Sequence, residues 1–130
     1  MKKLFLIIIV LLSFISAKSQ TIYNNNGNQV CYVQNRSFYS GSQKIGFIQQ
    51  GYSNIEVYSN SGKVGVIQGN SLYNNSGNVI CYIQDNSFYS GGKKVGFVSQ
   101  GIIYDGSGNR VGSTQGLSII EIAVYYFYFN

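Results

Sequence analysis

The sequence contains no histidine, no proline and no tryptophan, and only four of its 130 residues are acidic. Each absence excludes something. Without histidine there is no Ser-His or Cys-His nucleophile pair and no zinc site with an imidazole ligand. Two cysteines are too few for an all-thiolate zinc site. What is abundant instead is glycine, with 16 residues, and aromatics, with 12 Tyr and 8 Phe. Turn formers mixed with residues that favour pleated surfaces point to β structure. The length suits one domain.

The first residues read as an export signal. Met1-Lys2-Lys3 gives a positive start, Leu4 to Ile15 is an apolar run broken by Ser13, and Ser16, Ala17 and Ser19 are small. That three-part layout is a secretory signal peptide. Its apolar run of about twelve residues is short of the roughly 20 a spanning helix needs. Cleavage after Ser19 is favoured over cleavage after Ala17. The expected division is therefore a signal peptide over 1–19 and a repeat domain over 20–130, with the product exported to the periplasm, cell surface or medium and no membrane span in the mature chain. The whole chain carries a net +5, but Lys2, Lys3 and Lys18 leave with the signal. Six scattered cations then face four carboxylates, a net +2, too little for a nucleic-acid groove.

Internal repetition is the strongest signal in the remainder. Tyr23-Asn-Asn-Asn-Gly-Asn-Gln-Val-Cys-Tyr-Val-Gln34 matches Tyr73-Asn-Asn-Ser-Gly-Asn-Val-Ile-Cys-Tyr-Ile-Gln84. Ser37-Phe-Tyr-Ser-Gly41 matches Ser87-Phe-Tyr-Ser-Gly91, and Lys44-Ile-Gly-Phe-Ile48 matches Lys94-Val-Gly-Phe-Val98. Residues 21–51 thus recur as 71–101. Within each half lie smaller units, each with a Tyr, a Gly/Asn/Ser turn, and a Val/Ile–small–apolar run. The tyrosines are Tyr23, Tyr39, Tyr58, Tyr73, Tyr89 and Tyr104, and the small positions are Cys31, Gly46, Gly65, Cys81, Gly96 and Gly112.

Each unit reads as a β-hairpin, because Asn26-Gly27, Ser76-Gly77 and Ser107-Gly108 sit between β-favouring runs. A lone hairpin is marginal in water, so about six of them must bury their apolar faces together, radially or as a closed ring. A small residue inside a strand marks close approach. Six equivalent ones suggest strands converging on a shared axis, with most of the repeated aromatics needed for the core. Leu117 to Phe129 breaks the pattern. It is β-branched and aromatic without a turn signal, and it reads as a hydrophobic C-terminal strand covering what the ring leaves open. No helix is expected after residue 20.

The opening Gln20-Thr21-Ile22-Tyr23, the repeated Tyr–turn–Gly–Asn–Val–Gly core and the closing Glu121-Ile-Ala-Val-Tyr-Tyr-Phe-Tyr-Phe129 resemble the small secreted bacterial proteins called five-fold β-flower proteins. The resemblance covers nearly the whole mature chain. It implies hairpins splayed around an axis and carries no activity and no catalytic residues. Closure with five or with six units stays open at this point.

Four carboxylates are the remaining acid–base groups. Asp85 aligns with Asn35, and Asp105 with Asn24 and Asn74, so both read as turn residues. Glu56 lies in an insertion, and Glu121 in the apolar tail is expected to face solvent or to cap backbone N–H groups. Asp105-Gly-Ser-Gly-Asn109 has one carboxylate where calcium sites gather several, and it reads as a turn. Cys31 and Cys81, equivalent residues of duplicated halves, are expected far apart, buried and free. No catalytic, metal or cofactor-binding residue is assigned. The expectation is a non-enzymatic binding or structural module, with a glycan or cell-surface ligand tested first and a homo-oligomer not excluded. The alternative is a self-assembling, functional-amyloid-like structural protein.

Overall fold

The computed structural model describes residues 20–130, and the expected signal peptide over 1–19 lies outside the described residues. Six hairpins follow one another: β1 (Thr21–Asn24) with β2 (Gln29–Gln34), β3 (Ser37–Ser40) with β4 (Gln43–Gln50), and β5 (Ile55–Ser59) with β6 (Gly62–Gln68). The second half continues with β7 (Ser71–Asn74) and β8 (Val79–Gln84), β9 (Ser87–Ser90) and β10 (Lys93–Ser99), and β11 (Ile102–Asp105) and β12 (Arg110–Gln115). Every strand pairs antiparallel with its chain neighbours, and β1 pairs with β12, so the sheet closes into a barrel. Closure is by six units.

The turn chemistry is local and repeated. In three hairpins one side chain organises the turn: Asn24 Oδ1 accepts from the N–H of Asn26 and Asn28 at 2.9 and 3.0 Å. Asn74 does the same for Ser76 and Asn78, and Asp105 for Ser107 and Asn109. Gly27, Gly77 and Gly108 follow with φ of 81°, 84° and 87°, a region that only glycine enters freely. At the other end of the barrel, Asn35 and Asp85 both adopt left-handed φ, 52° and 55°. The reading of Asp85 and Asp105 as turn residues therefore holds.

Each hairpin pairs one large residue with one small one across its ladder. The pairs are Ile22 with Cys31, Phe38 with Gly46, Val57 with Gly65, Leu72 with Cys81, Phe88 with Gly96, and Ile103 with Gly112. All twelve are buried. The register then shifts immediately beyond each pair. Such bulges bend a strand and raise its twist, and six of them at equivalent places curl the sheet shut. Cys31 and Cys81 lie on β2 and β8, six strands apart in a ring of twelve, and are free buried thiols.

A barrel of about eight strands can be filled by its own side chains, and wider ones leave a lumen. With twelve strands and glycine at four of six inner positions, this wall cannot fill its own interior. The C-terminal segment fills it, but not as the strand expected from its sequence. Residues Ile119–Val124 form a helix, α1, followed by a π-helical turn over Tyr125–Phe129. Ser118 caps it: its Oγ accepts from the Glu121 N–H at 3.2 Å, and Glu121 Oε1 accepts from the Ser118 N–H at 3.0 Å. The physical reason is that an added strand has no edge to join in a closed barrel. A helix satisfies its own backbone and can sit inside. Ile122, Ala123 and Val124 are buried and belong to the same core as the wall residues.

The π-helical turn distributes its rings around the wall. Tyr126 reaches Gly112 of the sixth hairpin, Phe127 packs edge-on against Phe88 of the fifth, Tyr128 lies over Gly65 of the third, and Phe129 over Gly46 of the second. Successive residues of a helix point roughly 100° apart or a little less, so four consecutive rings serve four directions. Glycine is required where they land: a Cβ at Gly46 would meet the Phe129 ring, and one at Gly65 would meet the Tyr73 carbonyl and Tyr128. Tyr128 also donates its hydroxyl to the Tyr73 carbonyl at 2.7 Å. Among the described residues, no helix is long and apolar enough to cross a membrane.

Candidate functional site

The repeated tyrosines are not in the core, contrary to what the small size of the domain suggests. Each follows an inward-facing residue, so strand alternation turns it outward. Tyr23, Tyr39, Tyr58, Tyr73, Tyr89 and Tyr104 are all half-buried on the outer wall. The signal is present in the sequence: in every unit the tyrosine directly follows an Ile, Phe, Val or Leu that is the better core candidate.

On the outer wall each of these tyrosines faces a residue of the neighbouring hairpin. Tyr32 and Tyr39 stack at 4.9 Å and 9°, Phe47 and Tyr58 at 4.9 Å and 6°, and Phe97 and Tyr104 at 4.7 Å and 14°. Cross-strand aromatic pairs of this kind stabilise a sheet. Two carry a cation on the other face: the Lys44 ammonium lies 4.7 Å from the Phe47 ring centre and that of Lys94 4.4 Å from Phe97. Lys63 instead pairs with Glu56 at 3.0 Å, which accounts for the carboxylate of the insertion.

One seam is different. Tyr82 and Tyr89 sit 6.1 Å apart and tilted by 46°, although they are the duplicated counterparts of the closely stacked Tyr32 and Tyr39. Tyr82 is 42% exposed and Val79 is 55% exposed. Together with Ile80, Ser90, Gly91 and Gly92 they line an open hollow of about 390 Å³. The first half has Gln29 where the second has Val79, so an aliphatic side chain stands in this hollow where the equivalent position carries an amide. It offers one broad aromatic face, one aliphatic wall, and hydroxyls from Tyr82, Tyr89 and Ser90. This hollow is shaped to receive a ligand on the outer wall.

The groups that carry chemistry in other proteins are dispersed here. Glu56 is bound to Lys63, Asp85 lies in a connection between hairpins, Asp105 holds its own turn, and Glu121 completes the helix cap. The backbone N–H of Asn109 holds the Asp105 carboxyl below the usual carboxylate range; desolvation opposes it, and the Ser107 N–H adds to the lowering. Burial pushes the thiols of Cys31 and Cys81 up to about 11, so neither is a thiolate at neutral pH. Burial first, then the neighbouring Tyr125 and Cys31, raises Tyr126 to about 12. Among the described residues, no three His, Cys, Asp or Glu side chains gather as metal ligands would.

No curated protein and no solved structure matches the chain. A family model does. It is described as 5-fold beta-flower protein and covers residues 19–130, the whole barrel and its helical plug, and the chain therefore belongs to the 5-fold β-flower family.

Proposed function

We propose that the protein is an exported, non-enzymatic binding module that takes carbohydrate on the hollow beside Tyr82 and Tyr89. Membership of the β-flower family points to a small non-enzymatic β protein. The observation that carries the ligand class is the opened Tyr82–Tyr89 pair beside the aliphatic Val79. Sugar rings present an apolar face and a hydroxylated edge, and tyrosine is the side chain that matches both at low conformational cost. The other cross-strand aromatic pairs of the wall are closed by stacking, two of them with a lysine over the ring, whereas this pair is open to stack on a ligand. Self-assembly into fibres is the weaker reading, because a closed barrel has no free strand edge to template growth.

A glycan array with the purified protein tests the reading. Binding by a monomer, lost in Tyr82→Ala and kept in Tyr32→Ala, supports it. A folded monomer that binds no glycan overturns it. Sediment positive for a fibre-binding dye favours assembly instead.

A further inference from the structure

The six small positions inside the barrel differ in what occupies the space above them. Cys31 and Cys81 bring their own thiols. Gly46 carries the Phe129 ring, Gly65 the Tyr128 ring, and Gly112 lies beneath the Tyr126 hydroxyl. At Gly96 no terminal ring arrives. The nearest neighbours of a side chain there would be the Tyr104 carbonyl oxygen at 2.9 Å and Phe88 at 3.5 Å. Phe127, the ring sent in this direction, stops against Phe88 with ring centres 6.2 Å apart. What remains is a hollow of about 320 Å³ whose apolar lining is Phe88, Val95, Gly96, Ile103, Val111 and Phe127, completed by Tyr104, Asp105, Tyr126 and Asn130.

We propose that this hollow binds a single neutral aromatic ring bearing a hydroxyl, a phenol, seated over Gly96 as Tyr128 is seated over Gly65. The site is distinct from the outer Tyr82–Tyr89 surface and does not depend on the carbohydrate reading. Its occupant is identified by the pseudo-symmetry of the barrel itself. In the third hairpin the slot consists of a glycine floor, a hydrophobic partner across the ladder (Val57), and the carbonyl of the next unit's tyrosine, Tyr73. That carbonyl accepts from the Tyr128 hydroxyl at 2.7 Å. In the fifth hairpin the floor is Gly96, the partner is Phe88, and the matching carbonyl is that of Tyr104. The partner is larger than Val57, and no terminal ring lies within 4 Å of a side chain built on this floor.

Size and charge agree with this occupant. A dry apolar cavity of roughly 150 Å³ is enough for benzene, so the hollow has room for a substituted ring. No cationic side chain lines it, and the Asp105 carboxylate in its lining repels aromatic acids. Val95 and Val111, 41% and 37% exposed, form an apolar mouth through which such a ring can enter.

The test is an amide NMR titration of the purified, isotope-labelled protein with p-cresol, toluene and p-toluate. A ligand of this size in a well-formed pocket has a dissociation constant on the order of 1 mM. The expected result is saturable shifts centred on Gly96, Ile103 and Val111, with toluene weaker by about tenfold for want of the hydroxyl and p-toluate weaker still. Val111→Trp, which fills the mouth from an exposed position, abolishes the shifts. Val95→Trp serves the same purpose should the first variant fail to fold, and Tyr52→Ala, at a fully exposed position lining neither hollow, leaves binding intact. Absence of saturable shifts, or shifts centred elsewhere, overturns the proposal. So does toluene binding as well as p-cresol, or unchanged binding in a folded mouth-filling variant.

Discussion

The wall of the barrel and the helical plug inside it are built on opposite principles. The wall is six copies of one idea: a large inward residue opposite a small one, a bulge, and a tyrosine turned outward. The plug is a single copy of a segment found nowhere else in the chain, and its side chains must meet six directions at once. Repetition gives a wall that curves shut but cannot fill its centre, since each copy contributes a gap at the same height. The non-repeating segment fills the gaps one by one: Phe129 at Gly46, Tyr128 at Gly65 and Tyr126 at Gly112. Where it fails to do so, at Gly96, a hollow is left. A symmetric container thus becomes asymmetric through its contents, and asymmetry of this kind is where a ligand site can arise.

Removing the plug has the largest expected effect on the wall. Fully burying an Ile, Val or Phe side chain is worth about 1.5–3 kcal/mol, and the segment buries Ile122, Val124, Tyr125 and much of four further aromatic rings. Their loss is as large as the roughly 5–15 kcal/mol by which a domain is usually stable. A chain lacking residues 118–130 is expected to show no cooperative unfolding transition by circular dichroism. A sharp transition in that chain would mean that the wall stands alone.

Alkaline titration probes the contents without a mutation. Burial holds Cys31 and Cys81 at about 11 and Tyr126 at about 12, whereas free thiols ionise near 8.5 and phenols near 10. The folded state favours the protonated forms, so their contribution is complete below about pH 8.5. It is lost as pH rises through the folded values. Each tenfold weakening of an acid on folding corresponds to about 1.4 kcal/mol, so the loss is on the order of 2–3 kcal/mol for each thiol. Denaturant midpoints should be level from pH 7 to about 8 and fall steadily toward pH 11. A flat profile over that range would mean that the thiols and phenols are open to solvent.

Much of the wall is legible in the sequence and little of the plug. The fifty-residue duplication, the Asn-Gly and Ser-Gly turns and the six small positions specify hairpins around an axis, because turn chemistry and period-2 alternation are local. The plug reads as a strand because its usual helix signal is missing. A helix buried on all sides is apolar all round and shows no stripe, and Ile, Val, Tyr and Phe are also the residues strands prefer. One signal is there: Ser118 followed three residues later by Glu121, a capping box opening an apolar run. The outer hollow is only half legible in the sequence: Val79 in place of Gln29 can be read there, but the opening of the aromatic pair cannot. It depends on the tilt between Tyr82 and Tyr89, and the sequence repeats that pair identically in type as Tyr32 and Tyr39.

A substitution at the meeting of wall and plug has a smaller effect than deletion. Gly65→Ala places a methyl against the Tyr73 carbonyl and the Tyr128 ring, neither of which can retreat far in a packed barrel. Overpacking of this sort costs about 1–3 kcal/mol. The matching change at Gly96 meets the Tyr104 carbonyl at 2.9 Å and no terminal ring, so it should cost less. Chemical denaturation of the two variants compares a filled slot with an empty one. Equal losses would place the whole cost in the backbone contact and remove the distinction between the slots.

The smallest expected effect lies in the wall alone. Asp105 Oδ1 accepts from the N–H of Ser107 and Asn109, as Asn24 and Asn74 do in the equivalent turns. An asparagine is therefore already proven at this position twice in the same molecule. The charge adds one thing: the Asn109 and Ser107 N–H groups hold the carboxyl below its ordinary range, so folding favours the ionised form. That contribution is complete above the unfolded value of about 3.9 and is lost as pH falls through the lower folded value. Asp105→Asn should leave the unfolding midpoint at pH 7 almost unchanged and flatten its decline below about pH 4. Asp105→Ala removes the acceptor and should lower the midpoint at every pH. If the asparagine variant were as damaged as the alanine one, the three turns would not be interchangeable, and the wall would be less repetitive in energy than it is in geometry.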